Sequence, residues 1–232
     1  MKKKQKTAIE ASSPAHGPAS LDEKERIAKI LAILEKTYPN SKPALFFRNP
    51  LELLIATILS ARCTDEQVNL VTAKLFEKYK TAEDYASASI EELERMIHSL
   101  GFYKTKARNI KNTCRLIATK FNGQVPPQMD KLVELPGVGR KTANVVLGNA
   151  YGINEGIVVD THVSRVAYRL GLTKEKQPEK IELDLMRCIP QESWTTFSNL
   201  LIWHGRKRCK ARNPDCLHCE LNLLCPKIGV NN

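Results

Sequence analysis

Apolar residues recur every three or four positions along most of the chain, the spacing that places them on one face of an α-helix. Such amphipathic stretches cover residues 21–38, 64–79, 89–100, 105–122, 161–170, 178–188 and 192–204. The segment from Leu51 to Leu59 is apolar on almost every face, which predicts a buried helix. Only Gly156 to Val159 has an extended pattern, and that stretch is very short. The pattern therefore predicts an all-α fold.

Several of these stretches begin with a helix-capping pattern, in which Ser or Thr is followed three residues later by Glu or Gln. The pairs are Ser20 with Glu23, Thr64 with Gln67, and Ser89 with Glu92. Gly101 and Gly171 follow the last periodic residue of two stretches and predict helix ends.

Residues 1–20 have no periodic apolar positions and contain Pro and Gly, so we expect a disordered basic arm. Beyond it, the buried helix at 51–59 and the segment 135–150 are expected to share one helical bundle. The last eighty residues form a second group, against which the helix at 21–38 is expected to pack.

The chain carries a formal net charge of +11 and has a pI of about 9.3. The first twenty residues contribute only +3 of this charge, so the folded part is basic as well. This balance favours an anionic partner, although a solvated basic face without a partner has the same composition. No run of 18 apolar residues occurs, and no apolar stretch follows the N-terminal lysines. We therefore expect neither a membrane span nor a signal peptide, and we expect the protein to be intracellular.

The ten residues Leu135 to Asn144, with the sequence LPGVGRKTAN, combine a tight turn with the start of a helix. A short helix is predicted at 129–134, and a second one begins at Lys141. Gly137 and Gly139 carry no side chain to block an approaching ligand, so the backbone N–H groups at the helix N-terminus favour phosphate. Lys141 at the same end is either one more phosphate contact or a chemical group.

Four of the seven cysteines are closely spaced near the C-terminus, in a C-x6-C-x2-C-x5-C pattern: Cys209, Cys216, Cys219 and Cys225. Thiolates in such a group bind zinc or an iron–sulfur cluster. A zinc ribbon has two C-x2-C pairs and this chain has one, which favours the cluster. The loop between Cys209 and Cys216, in a segment rich in Arg and Lys, is a candidate phosphate contact. The isolated Cys63, Cys114 and Cys188 are expected to be packing residues.

The LPGVGRKTA run at 135–143, the VDTH run at 159–162 and the cysteine spacing together closely resemble the endonuclease III family of DNA glycosylases and abasic-site lyases. The resemblance covers residues 21–226. It implies a six-helix domain at 43–153 facing a cluster domain made of 21–42 and 154–232, with duplex DNA in the groove between them. It also implies a [4Fe–4S] cluster on the four cysteines, serving structure and DNA contact.

The family's catalytic lysine and aspartate fall on Lys141 and Asp160. The resemblance implies that the uncharged amine attacks the sugar of an extruded nucleotide, while the carboxylate takes up the proton or stabilises positive charge on the sugar. A plain helix cap is the alternative for Asp160, and first-turn packing is the alternative for His162, whose implied role is DNA contact near the site. Val138 and Arg140 are expected to contact DNA together with the two hairpin glycines.

Two positions differ from the family's usual residues. Arg62 stands where a glutamine commonly probes the base opposite the lesion, and Phe102 stands where a leucine forms a second wedge. Either side chain can fill the gap that an extruded base leaves. The alternative for Phe102 is a core aromatic that follows the helix end at Gly101.

The sequence therefore predicts a monomeric enzyme, located in the cytoplasm or nucleoid, that excises oxidised pyrimidines from duplex DNA and cleaves the abasic site by β-elimination. A monofunctional mismatch glycosylase of the same fold is one alternative, but such relatives typically lack the lysine at the position of Lys141. A helix–hairpin–helix protein that binds DNA without catalysis is the other, and it would need neither Lys141 nor Asp160.

Overall fold

The computed structural model describes residues 22–230, and within them it is entirely helical, without a β-strand. Eleven α-helices follow one another in this part of the chain: α1 (Glu23–Thr37), α2 (Pro50–Ser60), α3 (Asp65–Lys78), α4 (Ala82–Ser87), α5 (Ile90–Ile97), α6 (Tyr103–Lys120), α7 (Met129–Val133), α8 (Arg140–Val146), α9 (Thr161–Arg169), α10 (Pro178–Cys188) and α11 (Trp194–Lys207). The predicted all-α class is confirmed. The expected arm at 1–20 lies outside the described residues.

Local capping chemistry sets several helix starts. The hydroxyl of Thr64 accepts a hydrogen bond from the backbone N–H of Gln67, and Ser89 does the same for Glu92, as predicted. These bonds satisfy N–H groups that have no partner within the helix. The third predicted cap, Ser20, lies outside the described residues.

Helix α4 was not predicted from the sequence. The hydroxyl of Thr81 accepts from the N–H of Asp84, and the Asp84 carboxylate accepts from the N–H of Thr81, which makes a complete capping box. Because Asp takes the place of the usual Glu or Gln, the pattern is easily missed. Ala82 and Tyr85 anchor the short helix in the core.

The helix predicted over 141–150 changes form along its length. Helix α8 ends at Val146 and continues as one π-helical turn, Leu147–Tyr151. In this turn Gly148 packs against α11 so closely that an added Cβ would lie 2.1 Å from Thr195 Oγ1. A side chain at position 148 would clash with Thr195, and glycine therefore allows the π-helical turn to pack against the start of α11.

The buried side chains of the described residues form two separate hydrophobic cores. One core uses residues between Leu45 and Leu147, and the other combines α1 with residues between Ile157 and Leu221. Helix α1 packs against α11 in the second core. The domain boundaries at 43 and 154 stay a prediction.

Within residues 22–230 no helix combines the length and the apolar character that crossing a membrane requires.

Candidate active site and metal centre

The hairpin between α7 and α8 presents a bare helix N-terminus. Gly137 has a φ of +80° and lies against α6, where an added Cβ would be 2.6 Å from Asn109 Nδ2. Thr113 donates a hydrogen bond to the Pro136 carbonyl at 2.8 Å and fixes the turn. Val138 is buried, and Gly139 at the N-cap position provides no capping side chain. The first N–H groups of α8 therefore receive no side-chain cap.

Lys141 and Asp160 lie on one cavity, although nineteen positions separate them in the sequence. Lys141 is an exposed residue in the first turn of α8, and Asp160 is the N-cap of α9. Both line a cavity of about 370 Å³ between the two cores, and both also line a wider, open cleft of about 850 Å³. The structure thus brings together the amine and the carboxylate that the sequence singled out.

The Asp160 carboxylate is held rigidly by its own helix. Oδ1 accepts hydrogen bonds from the backbone N–H groups of His162 and Val163, both at 2.8 Å. The helix-cap interpretation is therefore correct. Among the described residues these two bonds are the only hydrogen bonds of the carboxylate, and they leave Oδ2 available to a ligand.

The guanidinium of Arg140, next to Lys141, binds Glu182 on α10 through Nε and Nη2. Asn144, one turn further along α8, donates to the same carboxylate at 3.0 Å. The hydrogen bond from Arg140 to Glu182 raises the pKa of Arg140 above its ordinary value. The Arg140 side chain remains half exposed, and its contact with DNA stays a prediction.

His162 lies half-buried in the first turn of α9. Its Nδ1 is 3.1 Å from Arg165 Nη2, so the ring accepts this bond in its neutral form. Burial lowers the pKa of His162, and this effect exceeds the opposing influence of Asp160. An added Cβ on Gly205 would lie 3.0 Å from His162 Cβ, so α11 packs directly on the imidazole. These are packing contacts, and the contact of His162 with DNA stays a prediction.

Arg62 and Phe102 meet although they come from different loops. The guanidinium carbon of Arg62 lies 5.5 Å from the centroid of the Phe102 ring, a cation–π distance. Both residues have a left-handed backbone, with φ of 56° and 59°. Phe102 is 64% exposed, so the alternative interpretation as a core aromatic is wrong. The pair lines a groove of about 320 Å³ that also includes Gly137.

Sequence reasoning missed the ion pair at the rim of the 370 Å³ cavity. Arg206 on α11 binds Asp65 at the start of α3, with a separation of 2.5 Å between Nη2 and Oδ2. Nearby, Trp203 donates from Nε1 to the carbonyl of Lys42 at 2.9 Å. The Arg206–Asp65 pair joins a helix of one core to a helix of the other. Because 141 positions separate Arg206 from Asp65, no local pattern in the sequence could have indicated the pair.

The four C-terminal cysteines converge on one cavity, which Arg169 and His204 also line. None of the four thiols is in a disulfide. Nitrogen atoms lie beside three of the sulfurs: Arg169 Nη1 is 3.3 Å from Cys209, the backbone N of Lys227 is 3.3 Å from Cys225, and His204 Nε2 is 3.5 Å from Cys219. Within residues 22–230 no group of three or more potential ligands is arranged around a single metal ion.

His204 is held in a defined orientation beside the cysteines. It is 2% exposed, and burial lowers its pKa to about 4, so the ring is neutral near pH 7. Tyr38 lies 3.2 Å from Nδ1 and Cys219 lies on the Nε2 side. The tautomer that carries hydrogen on Nε2 accepts from the Tyr38 hydroxyl and donates to the sulfur.

The end of α11 and the loop between Cys209 and Cys216 that follows it use part of their positive charge in ion pairs within the protein. Arg208 binds both Asp215 and Glu220 at 2.8 Å, and Arg206 is engaged with Asp65. Lys207, Lys210 and Arg212 remain exposed. The contact of this loop with phosphate stays a prediction.

Residues 55–191 match the family model described as HhH-GPD superfamily base excision DNA repair protein. Endonuclease III of a Synechocystis strain is 52% identical over 208 residues, which cover 90% of this chain and 95% of that protein. Endonuclease III of Bacillus subtilis is 47% identical over 81% of this chain and 86% of its own length.

The fold is also similar to a solved structure of a trapped endonuclease III–DNA covalent intermediate in an estranged-adenine complex. The TM-score is 0.82 and the identity is 47%, and the match covers 88% of this chain and 96% of that chain. The chain therefore belongs to the HhH-GPD superfamily of base excision DNA repair proteins and, within it, to the endonuclease III family.

Proposed function

We infer that this protein is a bifunctional DNA N-glycosylase and abasic-site lyase of base excision repair, acting on oxidised pyrimidines in duplex DNA. The observation that carries this conclusion is the position of Lys141 and Asp160 on one cavity between the two cores. A protein that only binds DNA has no need for an amine and a carboxylate in such an arrangement. A monofunctional glycosylase has no need for the amine.

The reaction begins when the damaged nucleotide leaves the base stack, because its sugar is inaccessible inside the duplex. The uncharged amine of Lys141 forms a bond to C1′ of the sugar, and the bond from C1′ to the base breaks. The sugar ring then opens to give a Schiff base with Lys141. Loss of a proton from C2′ expels the 3′ phosphate, which is the β-elimination that cuts the strand.

Asp160 assists from a fixed position. Its Oδ1 is occupied by the N–H groups of His162 and Val163, while Oδ2 is free to act on the substrate or on the amine. The carboxylate therefore accepts a proton from the Lys141 ammonium or stabilises the positive charge that develops on the sugar. Since the helix cap fixes the carboxylate, little reorganisation is needed during the reaction.

We propose that Arg62 and Phe102 occupy the space that the extruded nucleotide leaves. Their exposure, their mutual stacking and their position across a groove from Gly137 support this role. An aromatic ring stacks on the neighbouring bases, and a guanidinium provides several donors for the unpaired base opposite the lesion. Both residues have a left-handed backbone. Residues other than glycine seldom adopt this conformation, and it recurs at functional sites.

The proposed DNA backbone contacts lie around the hairpin and the start of α9. The uncapped N–H groups that follow Gly137, Val138 and Gly139 are suited to a phosphate. Arg140 directly precedes Lys141 and lines the open cleft, and His162 lies two residues after Asp160 in the first turn of α9. The overall charge of +11 supports a long electrostatic contact with duplex DNA.

We propose that Cys209, Cys216, Cys219 and Cys225 hold a [4Fe–4S] cluster. The four soft donors fit such a group because they line one cavity and none of them is in a disulfide. When bound, the cluster supplies structure and DNA contact rather than bond-breaking chemistry. Arg169 and His204 are placed to hydrogen-bond its thiolate ligands.

We further propose that the protein acts as a monomer on chromosomal DNA inside the cell.

Borohydride, which reduces a Schiff base to a stable amine, tests the reaction directly. Wild-type protein should become covalently attached to a duplex with one abasic site, and Lys141→Ala should not. Lys29→Ala, which removes an exposed lysine on α1, is the matched control and should be trapped like the wild type. Equal trapping of Lys141→Ala would refute the nucleophile.

A further inference from the structure

A buried carboxylate lies where the two cores meet. Glu182 on α10 is only 6% exposed. Its Oε1 accepts hydrogen bonds from Arg140 Nη2 at 2.9 Å and from Asn144 Nδ2 at 3.0 Å, and its Oε2 accepts from Arg140 Nε at 3.1 Å. Burial of an ionised carboxylate costs free energy unless the group is paired and hydrogen-bonded. The three donors therefore have to stay in place around Glu182.

The backbone of Gly156 packs against the same carboxylate. A Cβ added at Gly156 would lie 2.1 Å from Glu182 Oε1 and 2.6 Å from Asn144 Nδ2. Contacts this short do not occur for real Cβ atoms, so any larger residue would displace the carboxylate. Glycine at this position lets the chain approach the Glu182 and Asn144 side chains without displacing them.

Gly156 also begins the segment that leads to Asp160. The three residues between them, Ile157 to Val159, are all buried, and the N–H of Val158 donates to Ser198 Oγ at 3.0 Å. Because the segment is short and its side chains are buried, we expect a displacement of Gly156 to shift Asp160.

Glu182 thus contacts two parts of the active site, and Arg140 Nη2 adds a hydrogen bond of 3.4 Å to the Glu155 carbonyl beside Gly156. Through Arg140 and Asn144 it holds the first turn of α8, which contains Lys141. Through Gly156 it holds the backbone that ends at Asp160. We propose that Glu182 is a positioning residue, which sets the distance between the Lys141 amine and the Asp160 carboxylate. This inference rests on the proposed function of these two residues.

The proposal separates the rate of reaction from DNA affinity. Replacement of Glu182 by Gln preserves its shape but removes the charge that holds Arg140. The guanidinium then becomes free to bind phosphate, so affinity for DNA should stay equal or rise. The amine and the carboxylate lose their fixed spacing, so Schiff-base formation should slow. A merely structural role would instead lower stability and affinity together.

The test is the single-turnover rate of borohydride trapping on a duplex with one abasic site, measured beside the dissociation constant for the same duplex. Glu182→Gln should slow trapping about tenfold, while the dissociation constant stays within about twofold of wild type or decreases. Gly156→Ala should slow trapping similarly, because the new methyl group displaces the same carboxylate. The double variant should be no slower than the slower single variant, since both changes break one unit.

Asp184→Asn is the matched control on the same helix. Asp184 binds Thr173 and Arg187 and does not contact the active site, so this variant should trap at the wild-type rate. Thermal unfolding of each variant identifies any that does not fold, and Gly156→Ala then decides the question in place of Glu182→Gln. Glu182→Asp, which restores the charge on a shorter side chain, should recover part of the rate.

Three results would overturn the proposal: a wild-type trapping rate in Glu182→Gln, a loss confined to DNA affinity, or an equal loss in Asp184→Asn. A loss of affinity alone would mean that Glu182 only orients Arg140 for phosphate. Failure of the wild-type protein to form a trapped complex would refute the proposed function instead, because the inference concerns the ratio between variant and wild type.

Discussion

Arg62 and Phe102 form a stacked pair at the edge of the proposed DNA groove, with the guanidinium carbon 5.5 Å from the ring centroid. The first follows α2 and the second precedes α6, so the fold brings two loops forty residues apart to one place. Both side chains are exposed and both have a left-handed backbone. Neither has a role in the hydrophobic core, and the pair is therefore available for a ligand.

Phe102→Ala should slow base removal without affecting stability. Stacking of an aromatic side chain on a base contributes about 1–3 kcal/mol, so we expect a loss of about tenfold in the rate of excision from duplex DNA. The free energy of unfolding should change by less than about 0.5 kcal/mol, because the ring is exposed. Phe46→Ala, which removes another exposed phenylalanine, should leave excision unchanged. Equal losses in both variants would contradict a specific role for Phe102.

Arg62→Gln should change the preference for the base opposite the lesion. An arginine fork binds O6 and N7 of guanine in a bidentate manner, a contact that gives about 1–3 kcal/mol of discrimination. We expect wild-type protein to cleave an abasic site faster opposite guanine than opposite adenine, and Arg62→Gln to reduce this ratio several-fold. The measurement is strand cleavage on four duplexes that differ only in the opposite base. An unchanged ratio would contradict direct contact between Arg62 and that base.

His162 makes stability depend on pH in a specific direction. Burial lowers its pKa in the folded protein below the ordinary value of 6.5, so the unfolded chain binds the proton more tightly. The contribution of neutral His162 to the free energy of unfolding is complete above pH 6.5 and is lost as the pH falls below that value. His162→Gln should therefore lose less unfolding free energy than wild type between pH 7 and pH 5, measured by urea denaturation. Parallel curves for the two proteins would show that His162 is not responsible.

Replacement of a cysteine should distinguish ligands from packing residues. Cys216→Ser should give a protein that lacks the yellow-brown iron–sulfur absorbance and unfolds at a lower temperature, because metal binding contributes directly to folding. Cys188→Ser, on α10, should keep the colour. Iron and sulfide analysis of the wild-type protein measures the number of iron and sulfide atoms per chain directly. A colourless wild-type preparation that contains zinc would contradict the proposed cluster.

The sequence predicted best those features that depend on neighbouring residues. The caps at Thr64 and Ser89 follow from side chains three positions from the N–H groups they satisfy. The hairpin at 135–140 follows from the positions of its glycines. Helix α4 was missed because Asp84 replaces the usual Glu or Gln in the cap, although the same hydrogen bonds form.

Contacts between distant segments could not be predicted in this way. The Asp65–Arg206 ion pair and the Glu182 contacts with Arg140 and Asn144 join residues 38 to 141 positions apart. Nothing in the local pattern of hydrophobic and charged residues distinguishes Glu182 from any other acidic residue on an amphipathic helix. Only the fold shows that its carboxylate is buried and shared between the two cores.

The most direct test of the central claim is to identify the amino acid that becomes attached to DNA. Wild-type protein is treated with borohydride in the presence of abasic duplex, the complex is digested with nuclease and protease, and the modified peptide is sequenced by mass spectrometry. We predict a reduced sugar adduct on the Nζ atom of Lys141, and a much lower yield of this adduct in Asp160→Asn. An adduct on another residue, with Lys141 unmodified, would contradict the account.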